Sequence, residues 1–440
     1  MKRHPLENSL WFDTAAPTPE TAPLVGARRA DVAVIGAGYT GLSTALHLAR
    51  AGVETVVIEA EQAGYGGSGR NAGHCAPTFL HHTPEEVIAD LGPVFGPRMV
   101  RLQADAATLV FGLIRNYAIE CEAAQNGIIN PAHTPSAMET VEARHDQYAA
   151  LGKAVELWDA AKTAEMTGSE RYFGAWFHPE GGHLNPLGYA RGLARAAMGE
   201  GATIHTASPV ARIVPQGTDW RVETERGSVT ASRVVIATNA YSGDFWPKLD
   251  TPFFRMTAFN VATAPLGDNR RGMILPGDQN CIDSRADTQY MKLDPAGRLV
   301  TGSVVNWSRG KDAARSFAHF DKRLAYLFPE LGPVEWRWFW HGHIAMMPNM
   351  LPRLYELAPG VAAALGFSGR GVPTGTAMGV ELAKWARGTD PGELALPLIL
   401  LESLATRRIL NFAAPTVLGP YYRWQDRRSM RRDGLEAPRI

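Results

Sequence analysis

Residues 34–43 read VIGAGYTGLS, and the residues on either side decide what this glycine loop is for. DVAVIG at 31–36 is an apolar run ending on a glycine, the pattern of a strand buried in a parallel sheet. Leu42, Ala45, Leu46 and Ala49 then recur at helical spacing, and Gly52 closes the helix. ETVVIEA at 54–60 reads as a second strand, so the stretch is a β-α-β unit opening a doubly wound sheet. Gly36, Gly38 and Gly41 form GxGxxG at the strand-to-helix turn. The first glycine permits the tight turn, the second lets a pyrophosphate approach the backbone, and the third lets helix and strand pack closely. Tyr39 and Thr40 begin the helix, whose free N–H groups face the phosphate charge. Glu59, followed by Ala60, closes the second strand eighteen residues past Gly41, where an acid holds ribose hydroxyls.

Two other segments invite the same reading. GYGGSG at 64–69 also spells GxGxxG, but no strand precedes it and no amphipathic helix follows, so it does not make a second dinucleotide fold. ALGFSGRGVPTGTAMGVELAKW at 364–385 is glycine-rich and then turns helical, more than three hundred residues after the first loop. Taken alone, it is either a phosphate-type loop or a glycine turn capping a helix.

The rest of the chain sets the frame. At 440 residues it exceeds one core, so two domains are expected. Lys plus Arg and Asp plus Glu number 44 each, which argues against a nucleic-acid partner while leaving local basic patches open. Cys75, Cys121 and Cys281 form no CxxC pair, so neither a disulfide framework nor a metal site is expected, and reduced thiols suit a cytoplasmic protein. The N-terminus, MKRHPLENSLWFDTAAPTPE, has no apolar core of a signal peptide. LALPLILL at 394–401 is too short to span a bilayer and contains Pro397. Extended to LALPLILLESLATRRIL, it reads as a helix at a core or partner interface, with peripheral membrane contact the less favoured choice.

Helices are expected over 98–118, 138–164 and 187–199, with a short strand at QNGIINPA. TIHTASPVARIV, WRVETE and RVVIATNAYSG read as strands, the last reaching Thr238. FNVATAPL, QYMKLDP and RLVTGSVVNW alternate between turns and suggest a mixed or antiparallel sheet.

These segments together resemble the D-amino-acid-oxidase-like flavoproteins. VIGAGYTGLSTALHLARAGVETVVIEA is similar to the family's FAD-binding start, with Ala45, Leu48 and Gly52 in place. GGSGRNAGH at 66–74 looks like the segment passing beside the flavin, which implies cofactor roles for Ser68, Gly69, Arg70, Asn71, Ala72 and Gly73. GGHLNPLGYARGLARAAMGEGATIHTASPVARI resembles the middle segment, implying an adenine-side backbone contact from Val210, with Thr238 further along. WHGHIAMMPNMLP at 340–352 and GFSGRGVPTGTAMG resemble the closing segment, implying roles for Gly342 and for Gly369, Arg370, Gly371, Val372, Pro373 and Thr374. SGRNAG and the Trp340-x-Gly342 pattern are most like the amine-oxidising branch typified by gamma-glutamylputrescine oxidoreductase.

The resemblance implies an α/β fold with a discontinuous Rossmann-like FAD-binding domain (28–90, 180–245 and 345–390) and a mixed or antiparallel substrate domain (91–179 and 246–344). A helical, basic extension (391–440) follows. It implies noncovalent FAD, a small-molecule amine substrate, oxidation of its C–N bond to an imine by hydride transfer to flavin, and oxygen or a quinone as acceptor. The late glycine loop would then return to the flavin end of the same cofactor. Catalytic or tuning candidates are Arg70, His74, Tyr290 and His343, with His341 beside them, although such histidines and a sheet tyrosine more often serve packing. The tryptophans of EWRWFW at 335–340 pack an interface or line an apolar pocket.

Two departures from sarcosine-oxidase-type relatives stand out. Their carboxylate-binding lysine falls at Pro373, and loose alignment of RLVTGSVV puts Val300 in place of the lysine that promotes reaction with oxygen. The larger or more apolar amine is therefore expected over a simple N-methyl amino acid, with slow reoxidation by oxygen. Other readings are a nicotinamide-reduced monooxygenase, disfavoured by the missing second fold, an amino-acid dehydrogenase serving a membrane quinone, and an FAD-bearing tRNA-modifying module.

Overall fold

The computed structural model describes residues 6–80, 82–304 and 312–436. The first five residues of the N-terminal stretch, the end of RLVTGSVVNW and the last four residues of the tail lie outside them.

Elements are numbered along the chain. The first sheet has nine strands: β1 (Gly26–Ile35), β2 (Thr55–Ile58), β8 (Thr203–His205), β9 (Val210–Gln216), β10 (Asp219–Thr224), β11 (Gly227–Ile236), β17 (Arg353–Ala358), β18 (Val361–Leu365) and β19 (Leu398–Leu400). Its main order is β19-β17-β18-β11-β1-β2-β8, with β10 and β9 continuing from β11. The register explains why two glycine loops so far apart in sequence meet. Ile35 of β1 pairs with Ile58 of β2 and with Ile236 of β11, and Ile236 pairs with Ala363 of β18, all parallel. Four strands therefore end on one edge, and that edge carries Gly36, Glu59, Thr238 and the Gly366–Gly371 turn, the usual place for a ligand in an open parallel sheet.

Two helices leave that edge and pack on each other: α2 (Tyr39–Arg50) after β1 and α9 (Gly371–Ala386) after β18. Ser43 Oγ donates to Thr376 O at 2.8 Å and Thr44 Oγ1 to Gly379 O at 3.1 Å, so the backbones approach closely. A Cβ on Gly379 would lie 2.6 Å from Ser43 Cβ, which is why a glycine sits at the crossing. α6 (Pro186–Gly199) completes the layer beneath α2, with Tyr189 against Tyr39.

The second sheet has order β16-β12-β15-β14-β13-β4-β6-β5. Its strands are β4 (Ile128–Pro131), β5 (Glu156–Trp158), β6 (Ala175–His178), β12 (Phe254–Thr263), β13 (Asn280–Ile282), β14 (Tyr290–Leu293), β15 (Leu299–Val304) and β16 (Trp336–Met346). All neighbours are antiparallel except β13 and β4, so the sheet is mixed. One face of β12 and β16 looks into a cavity through Met256, Ala258, Asn260, Gly342, Ile344 and Met346, at the two-residue period of a strand. The opposite face, with Phe259 and Phe339, is covered by α8 (Ala313–Leu327) through Phe317 and Phe320. A short pair, β3 (His74–Cys75) and β7 (Gly182–His183), joins the loop at 66–74 to the segment before α6.

The remaining helices are α1 (Leu10–Thr14), α3 (Pro84–Asn116), α4 (Met138–Ala150), α5 (Ala160–Thr167), α7 (Asp268–Arg271) and α10 (Arg407–Arg432). Two expectations change. The helix expected over 138–164 is two, because Gly152 takes φ +79° and β5 intervenes. The expected helix in LALPLILLESLATRRIL is instead an edge strand: Leu398–Leu400 pairs in parallel with β17, and the helix begins only at Arg407. Of the two roles expected for the tryptophans of 335–340, packing is the one seen. Trp336 stacks on Phe317, Trp338 Nε1 donates to Asp13 at 2.7 Å, and Trp340 is buried on Trp11.

Candidate active site

One cavity of about 480 Å³ runs from the glycine loops to the second sheet. Its first half is mostly backbone. Gly38 approaches Ser68 so closely that a Cβ would come within 2.9 Å of Ser68 Oγ, and the Tyr39 N–H donates to the same oxygen at 3.1 Å. Gly41 stands behind the loop rather than in it: a Cβ there would run into Gly36 O, so this glycine serves helix packing. The half-buried Glu59 carboxylate accepts the N–H of Ala37 at 2.7 Å and of Glu61 at 3.0 Å, tying the second strand to the loop. Burial pushes Glu59 above the ordinary carboxyl range and these amides pull it back.

The 66–74 segment crosses the middle. Asn71 Nδ2 donates to the Ser68 carbonyl at 3.0 Å and to Tyr39 OH at 3.1 Å, which holds the turn to α2. Arg70 is buried; its Nε donates to Tyr65 O at 2.8 Å. Its carbonyl accepts from Asn260 Nδ2 at 3.0 Å and from Trp340 Nε1 at 2.9 Å, and Asn260 Oδ1 in turn accepts from Tyr290 OH at 2.9 Å. The likeness-based candidates Arg70 and Tyr290 thus belong to one hydrogen-bonded chain through Asn260. His74 sits beside Tyr290, with ring centroids 5.3 Å apart, and its Nδ1 is 2.7 Å from the Asn280 amide. Burial, then the charge of Lys292, holds His74 well below the ordinary histidine range, so it is neutral at pH 7. His343 bonds Thr257 Oγ1 through Nδ1 at 3.1 Å, and its N–H donates to Tyr241 OH at 2.9 Å.

The late loop closes this half. Gly369 takes φ +93°, a left-handed conformation that suits glycine, just before α9 starts. Burial, before the neighbouring Arg144, brings Arg370 down to about 10. The Nε atoms of His74 (Nε2) and Arg370 are buried and have no hydrogen-bond partner among the described residues. Buried polar atoms lining a cavity in this way fit a bound polar group.

The sequence-based candidates lining the cavity are Gly36, Gly38, Tyr39, Thr40, Glu59, Ala60, Ser68, Arg70, Asn71, Ala72, His74, Val210, Thr238, Tyr290, Gly342, His343, Gly369, Arg370, Gly371 and Val372. Gly41, Gly69, Gly73, Pro373, Thr374 and His341 do not line it. Gly69 backs onto Gly64 O and Gly73 onto Leu184 O, where added Cβ atoms would collide. Thr374 instead donates to Gln103 Oε1 at 2.6 Å, and Pro373 is buried one turn into α9.

Residues 31–385 match the family described as FAD dependent oxidoreductase (DAO). The chain belongs to that family. It is an enzyme whose cofactor is FAD, and the backbone half of the cavity fits that cofactor: two helix N-termini, an acid at the end of β2, and glycines where a side chain would fill the cradle. The chain is 31% identical to gamma-glutamylputrescine oxidoreductase of Escherichia coli (strain K12) over 362 residues, covering 81% of this chain and 84% of that one. It is 28% identical over 425 residues to a probable oxidoreductase, OrdL, of Haemophilus influenzae, covering 95% and 97%. Glycine oxidase from Geobacillus kaustophilus has the same fold, with a TM-score of 0.71 at 20% identity, covering 86% of this chain and all of that one.

One departure from relatives needs correcting. Val300 does not replace a lysine beside the cofactor: it is buried with Trp11, Leu187 and Trp340, away from the cavity. Its partner across the β14–β15 pair is Lys292. Lys292 is buried behind Gly73, donates to Leu184 O at 2.6 Å, and lies 4.6 Å from the Trp11 ring. Burial brings it down to about 8 against the pull of Glu122 and Asp294. Lys292, Asn260 and Tyr241 are not singled out by the sequence, although QYMKLDP, FNVATAPL and RVVIATNAYSG contain them. No helix among the described residues is long and apolar enough to cross a membrane.

Proposed function

We propose that this enzyme oxidises the C–N bond of a small amine or N-substituted amino acid to an imine, which water then hydrolyses. The observation that carries the reading is the single cavity in which cofactor-cradling backbone continues directly into a wall bearing Arg70, His74, Tyr290 and His343. The relatives whose names state an activity act on amines and amino acids, which supports the same class. When bound, FAD accepts the two electrons and the hydrogen from the carbon next to the nitrogen. The chain's own residues position that carbon and set the local charge. Neutral His74 adds no positive charge next to an amine that must itself lose its proton. The Tyr290–Asn260–Arg70 bonds fix the segment beside the cofactor to the substrate sheet.

The cofactor unit comprises 28–90, 180–245 and 345–390, and the substrate unit 91–179 and 246–344. The region after 391 belongs to both, since β19 adds to the first sheet and α10 packs on the second. Slow reoxidation by oxygen draws no support from Val300, which lies away from the cavity, and oxygen stands as an acceptor beside a quinone. Mixing the oxidised holoenzyme anaerobically with a panel of primary and secondary amines tests the function. Bleaching of the flavin absorbance by at least one amine class is expected, and an unbleached flavin across the panel would refute it.

A further inference from the structure

The cavity's remaining wall comes from α10, which follows the residues that match the family. Gly419, Tyr422 and Arg423 line it. The helix is anchored from several sides. Asp426 accepts the amides of Ala286 at 2.8 Å and Asp287 at 3.1 Å, Asp433 accepts that of Ser136 at 2.8 Å, and Arg407 pairs with Asp250. The arginines at 427, 428, 431 and 432 are exposed, whereas the Arg423 side chain keeps 18% of its surface.

Arg423 and its neighbour Arg323 differ in what they bind. Arg323 donates to Gln289 Oε1 at 2.6 Å, to Asp287 O at 3.2 Å and to Asp287 Oδ2 at 2.5 Å. Asp287 Oδ1 is 3.3 Å from Ser303 Oγ. Asp287 is thus already partnered, and its Oδ2 stands 4.0 Å from Arg423, beyond hydrogen-bond reach. Among the described residues Arg423 makes no hydrogen bond. A partly buried guanidinium with its fork of donors unfilled, on a cavity wall, matches a planar anion. A phosphate dianion would be repelled by Asp287 and Asp426, so a singly charged carboxylate fits better.

We propose that Arg423 binds a carboxylate of the substrate at the α10 end of the cavity, so that the enzyme's amines are amino acids in the broad sense, with the anionic group set apart from the nitrogen that is oxidised. The substrate class rests on the amine oxidation proposed above; the anion site does not. The carboxylate adds an anionic end to the largely apolar amine expected from the sequence, while the tryptophans of 335–340 pack against Phe317 and Asp13.

The test uses the FAD-loaded protein and two ligands without an amine, hexanoate and hexanamide, titrated calorimetrically. Hexanoate should bind about ten- to a hundredfold more tightly than hexanamide, as a charge-assisted bidentate contact warrants. Arg423→Gln should abolish that preference and Arg423→Lys should keep part of it. Equal affinities in the unmodified enzyme, or a preference that survives in Arg423→Gln, would overturn the proposal. In a second arm, anaerobic flavin reduction is compared for 6-aminohexanoate and 6-aminohexanamide. The half-saturating concentration of the acid should rise relative to that of the amide in Arg423→Gln. If neither compound reduces the flavin while the hexanoate preference persists, the amine-oxidation reading loses ground and the carboxylate site stands.

Discussion

Glu59 is where cofactor binding and fold stability can be separated. Its carboxylate holds two amides, Ala37 N–H at 2.7 Å and Glu61 N–H at 3.0 Å. Ala37 is fully buried, so its N–H has no water to turn to in Glu59→Ala, whereas Glu61 is exposed and regains a solvent bond. The apoprotein should therefore lose about 1–3 kcal/mol, the penalty of one stranded buried donor. FAD affinity should fall further on the proposal that the same carboxylate is the ribose acceptor the glycine motif calls for. A lost bond to a charged acceptor is about 1.5–3 kcal/mol, or about ten- to a hundredfold in Kd. Glu59→Gln keeps one acceptor oxygen for Ala37, so its apoprotein melt should recover while its FAD affinity recovers only in part. The assay is a titration of apoprotein with FAD followed by quenching of flavin fluorescence, beside thermal melts of each apoprotein. An Ala variant with a lowered melt but unchanged FAD affinity would refute the ribose role and leave Glu59 as a clamp on the loop.

Three further outcomes follow from the same geometry. Acid precipitation should release the flavin into the supernatant, since Cys75, Cys121 and Cys281 are all buried and none lines the cavity; colour remaining in the pellet would show a covalent link. Gly41→Ala should lower stability by about 1–3 kcal/mol and weaken FAD binding, because the added methyl meets Gly36 O and α2 must back away; an unchanged melt would sink that account. Lys292→Met should remove a pH dependence. Lys292 falls from 10.5 to about 8 in the folded protein, so between those values the unfolded chain binds more protons and stability rises with pH, by about 3 kcal/mol in all. A stability difference between the two proteins that stays flat from pH 7 to 10.5 would contradict a buried, charged Lys292.

The parts legible in sequence were those that local order determines. GxGxxG, the following helix and the acid at the second strand's end lie within one β-α-β unit, and Gly41 answers to Gly36 O inside it, although Gly38 meets Ser68 and Gly36 meets Ala237 from beyond it. What escaped depended on pairing between distant strands. Val300 and Lys292 are cross-strand partners on β15 and β14, a pairing that neither segment's own pattern announces. Leu398–Leu400 is a strand only because β17 offers it an edge; its apolar run fits a helix equally well. Trp336 packs on α8 while Trp338 and Trp340 meet Asp13 and Trp11 of α1, partners that nothing within EWRWFW announces. Arg423 is one of seven arginines in α10, and only the bonds of Asp426 and Asp433 to distant loops determine which of them turns inward.

This split has a consequence for how substrate choice can change within the family. The cofactor half of the cavity is mostly backbone and small residues, where a side chain added at Gly38 collides with Ser68, so it tolerates little substitution. The substrate half is assembled from side chains of β12, β14, β15, β16 and α10, whose chain positions are far apart and whose backbones are held by the sheet ladder rather than by those side chains. A side chain there can be exchanged without disturbing the sheet that carries it. α10 goes furthest in this direction, since it lies outside the family-matched residues and makes no part of either glycine loop. Exchanging Arg423 should therefore alter which amine is bound while the affinity for FAD stays as it was, whereas an exchange at Glu59 should do the reverse.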